Sequence, residues 1–116
     1  MRKKGYNIGN RKVAIVGAGY VGASIAYALA LRDVAREIVL IDINNKKTDG
    51  EAKDIRHGLP AMGTADLYAG EYQDCVDCDL IIITAGRGRK PGESRLDLTN
   101  ENVRIMRSVI SEIKKY

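Results

Sequence analysis

Short apolar runs separated by turn residues set the rhythm of this chain. Lys12–Val16 (KVAIV) is apolar at successive rather than alternate positions, as expected of a strand buried on both faces in a parallel sheet. Glu37–Ile43 (EIVLIDI) repeats that pattern, Asp79–Thr84 (DLIIIT) reads as a further strong strand, and Asp66–Ala69 is a shorter candidate. Between these runs the period becomes helical. Tyr20–Leu31 is small and apolar, with Ala at 23, 26, 28 and 30, and predicts a closely packed helix that leaves through Arg32–Asp33. Asn44 or Asn45 can cap a helix over Lys46–His57, which Gly58 and Pro60 stop. Arg87–Ser94, rich in Gly, Pro and basic residues, reads as a loop. Leu98, Val103, Ile105, Met106, Val109, Ile110 and Ile113 mark a last helix within Leu96–Lys115.

Strands alternating with helices predict a parallel α/β sheet with right-handed crossovers. The first strand–helix junction carries Gly17-Ala18-Gly19-Tyr20-Val21-Gly22, a G-x-G-x-x-G. That hexamer is weak evidence by itself. Here a strand precedes it, a helix follows, and Asp42 stands 20 residues past the last glycine. Gly17 would make the tight turn, Gly19 would let a pyrophosphate reach the backbone, and Gly22 would let helix and strand pack closely. The helix N-terminus offers free N–H groups and positive dipole to the phosphates. Asp42 is placed to accept hydrogen bonds from an adenosine ribose and would repel a 2′-phosphate, so NAD is favoured over NADP. The fold expectation is therefore a Rossmann-like doubly wound parallel sheet, partial, with about four strands present. Residues 1–11 form a basic tail and residues 12–116 a dinucleotide-binding domain.

Charge first suggests something else. The chain of 116 residues carries a net charge of +4. Residues 1–12 hold five of the basic side chains and no acids, and the remainder is close to neutral. The basicity is thus a terminal property, and with no Trp and no Phe for base stacking a nucleic-acid partner is not expected. No apolar run is long enough to span a bilayer, and no secretory signal follows Arg2, Lys3 and Lys4. Two cysteines without a disulfide framework fit a cytoplasmic setting.

GAGYVGASIA, LIDI, DIRHGLP and DLIIITAG, together with GRGRKPGESRLDL after the last strand, resemble the lactate and malate dehydrogenase family from Lys12 to Tyr116. The resemblance implies a 2-hydroxy acid dehydrogenase whose full-length form is a homo-oligomer and whose GRGRKPGESRLDL segment is a mobile substrate loop. It assigns cofactor contacts to Gly17, Ala18, Gly19, Tyr20, Val21, Gly22 and Asp42, with Lys47 and Tyr72 on the adenosine side. Gly86 and Arg87 match the turn beside the cofactor's ribose and phosphates, and Asn102 and Ser108 match helix positions reaching toward the nicotinamide. Arg95 matches the catalytic loop arginine that polarises the substrate carbonyl, a role suited to a guanidinium brought into a closing, water-free site. Arg89 matches the position that reads the substrate's distal group. A guanidinium there takes a carboxylate in a bidentate pair, which favours oxaloacetate and malate over pyruvate and lactate, although the GESRLDL stretch looks more lactate-like.

The family's catalytic His–Asp pair matches nothing up to Tyr116. His57, the single histidine, matches a structural position at a helix end, so the chain looks like the N-terminal cofactor part and should not turn over alone. A stand-alone NAD-sensing module is the alternative, and Arg89 with Arg95 at substrate spacing speaks against it. Cys75-Val76-Asp77-Cys78 lacks the second ligand pair a zinc site needs, and related enzymes carry idle cysteines in this turn. No metal is expected.

Overall fold

The structure, a computed structural model, describes residues 11–17, 19–42, 45–58, 65–86 and 90–116. Four strands are present: β1 (Lys12–Val16), β2 (Glu37–Ile41), β3 (Asp66–Gly70) and β4 (Leu80–Ile83). Helices α1 (Tyr20–Leu31), α2 (Asn45–Gly58) and α3 (Arg95–Ile113) join or follow them, and a single 3₁₀ turn covers Tyr72–Cys75. The sheet is parallel throughout, in the order β3-β2-β1-β4.

The continuous apolar runs have the expected consequence. Val13 and Ile15, Ile38 and Leu40, and Leu67 point to one face and pack with Ala26 and Ala30 of α1 and Ala52 and Ile55 of α2. Ala14 and Val16, with Val39 and Ile41, point to the other face and meet Cys75 and Val109 of α3. Alternate residues of the same strand thus serve two cores, which makes the sheet doubly wound. The alanines of α1 are what let it lie close, and Ala26 and Ala30 are completely enclosed.

Strand and helix ends differ from expectation by one or two residues. β2 stops at Ile41, so Asp42 stands just beyond the strand, and Ile43 lies outside the described residues. α1 ends with Asp33 at φ 55, its N–H on Ala30 O and the Val34 N–H on Leu29 O, a left-handed close of the kind usually given to Gly. α3 begins at Arg95, one residue early, because the Ser94 hydroxyl accepts the Asp97 N–H at 3.0 Å and caps the helix there.

Of the five basic side chains in residues 1–12, Lys12 lies in β1 as expected and is buried: it is only 5% exposed, and its Nζ lies 2.7 Å from Asp77 Oδ1 and 3.6 Å from Glu37 Oε2. Burial opposes its charge, but the Asp77 hydrogen bond and both carboxylates outweigh that and raise its pKa. Tyr68 adds a hydrogen bond from its hydroxyl to Glu37. Asp79 closes the same edge, its carboxylate accepting the Lys12 N–H at 2.9 Å and its own N–H donating to Lys12 O. The network fastens the entry of β4 to the entry of β1, at the end of the sheet opposite the glycine turn.

Candidate functional site

In the order β3-β2-β1-β4 every strand runs the same way, but the winding changes direction at β1, toward β2 on one side and β4 on the other, and a crevice lies at the carboxyl ends of β1 and β4. Val16, Gly17 and Gly19 form one wall, Thr84, Ala85 and Gly86 another, and Ile105, Ser108 and Val109 of α3 a third. Asp42, Tyr72 and Glu112 close one end. The space is about 830 Å³, in the range of small-molecule sites. A smaller hollow of about 280 Å³ continues past Asp42, sharing Tyr72 and Glu112 and adding Gln73 and Tyr116.

The three glycines of the turn are glycines for different reasons. Gly17 has φ 109, and its N–H is fixed to Ile41 O at 2.7 Å. A Cβ on Gly22 would stand 1.9 Å from Gly17 O, so no other residue lets α1 sit where it does. Gly19 is unlike both. Its φ of −75 suits any residue, and a Cβ there would meet nothing within 4 Å. The protein itself does not require glycine at 19; a group lying against the backbone in the crevice would.

The N-terminus of α1 is also left open. Its N-cap is Gly19, which makes no side-chain cap, and no acid stands in its first turn. By contrast α3 has both Ser94 and Asp97 at its start. The N–H groups of a helix start and its positive dipole at the crevice wall are what a diphosphate needs. At the far end, Tyr72 is pushed above its ordinary pKa by burial first and then by the Glu112 and Asp42 charges. Two carboxylates therefore flank one phenol. They suit the hydroxyls of a ribose and repel a phosphate on it.

The sequence-assigned residues divide into three groups. Gly17, Gly19, Asp42, Tyr72, Gly86 and Ser108 line the crevice. Asn102 stands just behind Gly86, its Oδ1 3.4 Å from where a Gly86 Cβ would be. Gly22 supports the turn from beneath. Tyr20 and Val21 are exposed at 90% and 60% and are absent from the lining, so what they bring is backbone N–H at the start of α1. The Tyr20 side chain instead borders a shallow hollow with Ser24, Tyr27 and Ile55. Arg95, at the first position of α3, is exposed and outside the crevice lining. Ala18, Arg87 and Arg89, and the side chains of Lys47 and His57, lie outside the described residues.

Pattern reading missed Thr84, Ala85, Arg104, Ile105 and Glu112. Their signals exist. Thr84 and Ala85 follow directly on a strand's carboxyl end, and Arg104, Ser108 and Glu112 recur every four residues on one helix face. The cysteine pair does not join the site. Cys75 is buried in the core, and burial lifts its thiol pKa. Burial first and Cys75 second push the Cys78 thiol up to about 11. Both cysteines are free thiols, and among the described residues no cluster could hold a metal ion. No helix among those residues is long and apolar enough to cross a membrane.

Residues 11–116 match a family model described as lactate/malate dehydrogenase, NAD binding domain. The L-lactate dehydrogenase of Acetivibrio thermocellus is 49% identical over 106 residues, which cover 91% of this chain and 33% of that protein. That of Priestia megaterium is 48% identical over 103 residues, 89% of this chain and 32% of the relative. Among solved structures, the ligand-bound minor L-lactate dehydrogenase from Enterococcus mundtii has a TM-score of 0.87 at 46% identity, covering 91% of this chain and 34% of that one. The apo malate dehydrogenase from Picrophilus torridus has a TM-score of 0.84 at 39% identity, with 90% and 34% covered. The chain spans about a third of the length of these relatives.

Proposed function

Because the chain belongs to the lactate/malate dehydrogenase NAD-binding-domain family, we propose that it is the cofactor-holding part of an NAD-dependent 2-hydroxy acid dehydrogenase. The observation that carries this reading is Gly19, a glycine the fold does not need at the open N-terminus of α1. NAD, when bound, supplies the hydride chemistry between its nicotinamide and the substrate's C2. The work of this chain's residues is to bind and to orient. Amides from Gly19 to Val21 take the pyrophosphate. Asp42 accepts from the adenosine ribose, with Tyr72 and Glu112 beside it and Lys47 on the same side. Ala18, between Gly17 and Gly19 in the sequence, shares in the cofactor contact. Gly86 and Arg87 border the cofactor's ribose and phosphates, and Asn102 and Ser108 border the path toward the nicotinamide.

Substrate chemistry falls to Arg95 and Arg89. Arg95 polarises the substrate carbonyl after the loop closes, and Arg89 pairs with a distal carboxylate. That pair supports oxaloacetate and malate as the substrate couple. A second reading, pyruvate and L-lactate, is supported by the names of the relatives at 48–49% identity. The ratio of kcat/KM for oxaloacetate over pyruvate, measured on the full-length enzyme before and after Arg89→Gln, decides between them. A ratio that favours oxaloacetate and collapses on substitution supports the dicarboxylate reading. A parent preference for pyruvate gives the lactate reading. We further propose a homo-oligomeric full-length protein in the cytoplasm, without nucleic-acid or membrane partners. Its free thiols and near-neutral charge beyond residue 12 support that setting.

A further inference from the structure

Thr84 is the first residue past β4, and it is fixed to the glycine turn by two different groups. Its backbone N–H donates to Val16 O at 2.8 Å, one step beyond the end of β4. Its Oγ1 lies 3.0 Å from Gly17 O and 3.3 Å from Val16 O. A hydroxyl has one hydrogen to give, and the shorter distance makes Gly17 O the main acceptor. Gly17 is buried as a residue, and its carbonyl takes the Thr84 hydroxyl as a donor from within the protein. The hydroxyl oxygen also occupies the notch the two structural glycines leave. A Cβ on Gly17 would stand 2.7 Å from it, and a Cβ on Gly22 would stand 2.9 Å from it.

We propose that Thr84 is a positioning residue for the dinucleotide, acting through the Gly17 carbonyl. The clamp fixes the Gly17 carbonyl, and with it the turn that leads into the start of α1 at the crevice wall. It also ties that turn to the segment that runs on through Gly86 toward Arg89 and Arg95. This inference rests on the NAD-binding reading, deepens it, and concerns a hydroxyl that need not touch the cofactor. A purely structural threonine would contribute to stability and leave the affinity of the folded protein alone.

The test uses ADP-ribose, which carries the pyrophosphate without the nicotinamide, titrated calorimetrically into the purified protein and its variants. Melting temperatures without ligand are recorded alongside. Thr84→Val, which keeps the shape and removes the hydroxyl, is expected to weaken ADP-ribose roughly three- to tenfold, the scale of one net hydrogen bond. Thr84→Ser, which keeps the hydroxyl, is expected to stay within about twofold of the parent. Thr84→Ala removes the hydroxyl without adding a methyl near Gly17 O, and decides by the same criterion if the valine variant does not fold. Hydroxyl-free variants that bind as the parent does, with or without a lowered melting temperature, overturn the inference. So does a serine variant as weak as the valine one. A parent that binds neither ADP-ribose nor NADH overturns the NAD reading as well, whereas a parent that binds both beside unchanged variants removes only the role of Thr84.

Discussion

Gly19→Ala separates what the fold needs from what a ligand needs. The added Cβ meets nothing within 4 Å, and φ is −75, so the apoprotein should accept it without strain. Two small terms of opposite sign remain. Alanine is a poorer N-cap than glycine by about 0.5–1 kcal/mol. Removing glycine's freedom from the unfolded chain returns about 0.4–1 kcal/mol. They nearly cancel, and the melting temperature should move by no more than about 4 °C. Binding should behave quite differently. A methyl placed against a pyrophosphate that packs on the backbone overfills the site at a cost of about 1–3 kcal/mol, or roughly 5- to 150-fold in Kd. Thermal melting followed by circular dichroism, with NADH titration by fluorescence on the same samples, measures both. An alanine variant that keeps parental NADH affinity would falsify the assignment of Gly19 to cofactor contact. One that unfolds would show that the glycine is structural after all.

Gly22→Ala should show the converse, because its Cβ would fall 1.9 Å from Gly17 O; a loss of about 3 kcal/mol or more in denaturant unfolding is expected, and near-parental stability would contradict the close approach of α1. The Lys12 hydrogen bond holds the Asp77 carboxyl below the usual range, so its stabilisation is present above the unfolded pKa and lost as pH falls through the folded one. Melting temperature should therefore drop as the pH is taken below about 4, and Asp77→Asn should flatten that part of the profile. With the Cys78 thiol near 11 and Cys75 also raised, alkylation at pH 8 should be at least about tenfold slower in the native protein than in denaturant, and equal rates would contradict the raised thiol pKa values. The 116-residue chain, whose one histidine is His57, should not oxidise NADH with pyruvate or oxaloacetate; steady turnover by a contaminant-free sample would overturn that expectation.

Strand and helix order were legible because their causes are local. Short β-branched apolar runs such as VAIV and LIII read as strands, although only VAIV is buried throughout and LIII, on the edge strand β4, is half-buried with Leu80 exposed; the G-x-G-x-x-G could be given meaning by the strand before it and the helix after it. What the pattern hides is side-chain partnership across the sheet. Lys12 sits in a run of terminal basic residues, and nothing near it in sequence announces Asp77, 65 residues on. Thr84 looks like the polar end of a strand until the fold sets its hydroxyl against Gly17 O. The 3₁₀ turn at Tyr72–Cys75 is a single turn with no period to detect. Glu71 and Asp74 form a reciprocal capping pair around it, which is what presents Tyr72 to the crevice. Tyr20 stands inside the hexamer, yet α1 turns its ring to the outside, so the contact assigned to it rests on its backbone N–H.

The selectivity of the crevice for NADH over NADPH is the most direct measure of the whole proposal, since it needs the glycine turn to hold a pyrophosphate and Asp42 to meet the ribose at the same time. Calorimetric titration of the purified protein with each dinucleotide should give tighter binding of NADH. Asp42→Ala should weaken NADH by about 1–3 kcal/mol, the scale of a charge-assisted hydrogen bond, and narrow the gap to NADPH. NADPH binding as tightly as NADH to the parent, or an Asp42→Ala variant with unchanged preference, would contradict the placement of the adenosine ribose between Asp42 and Tyr72.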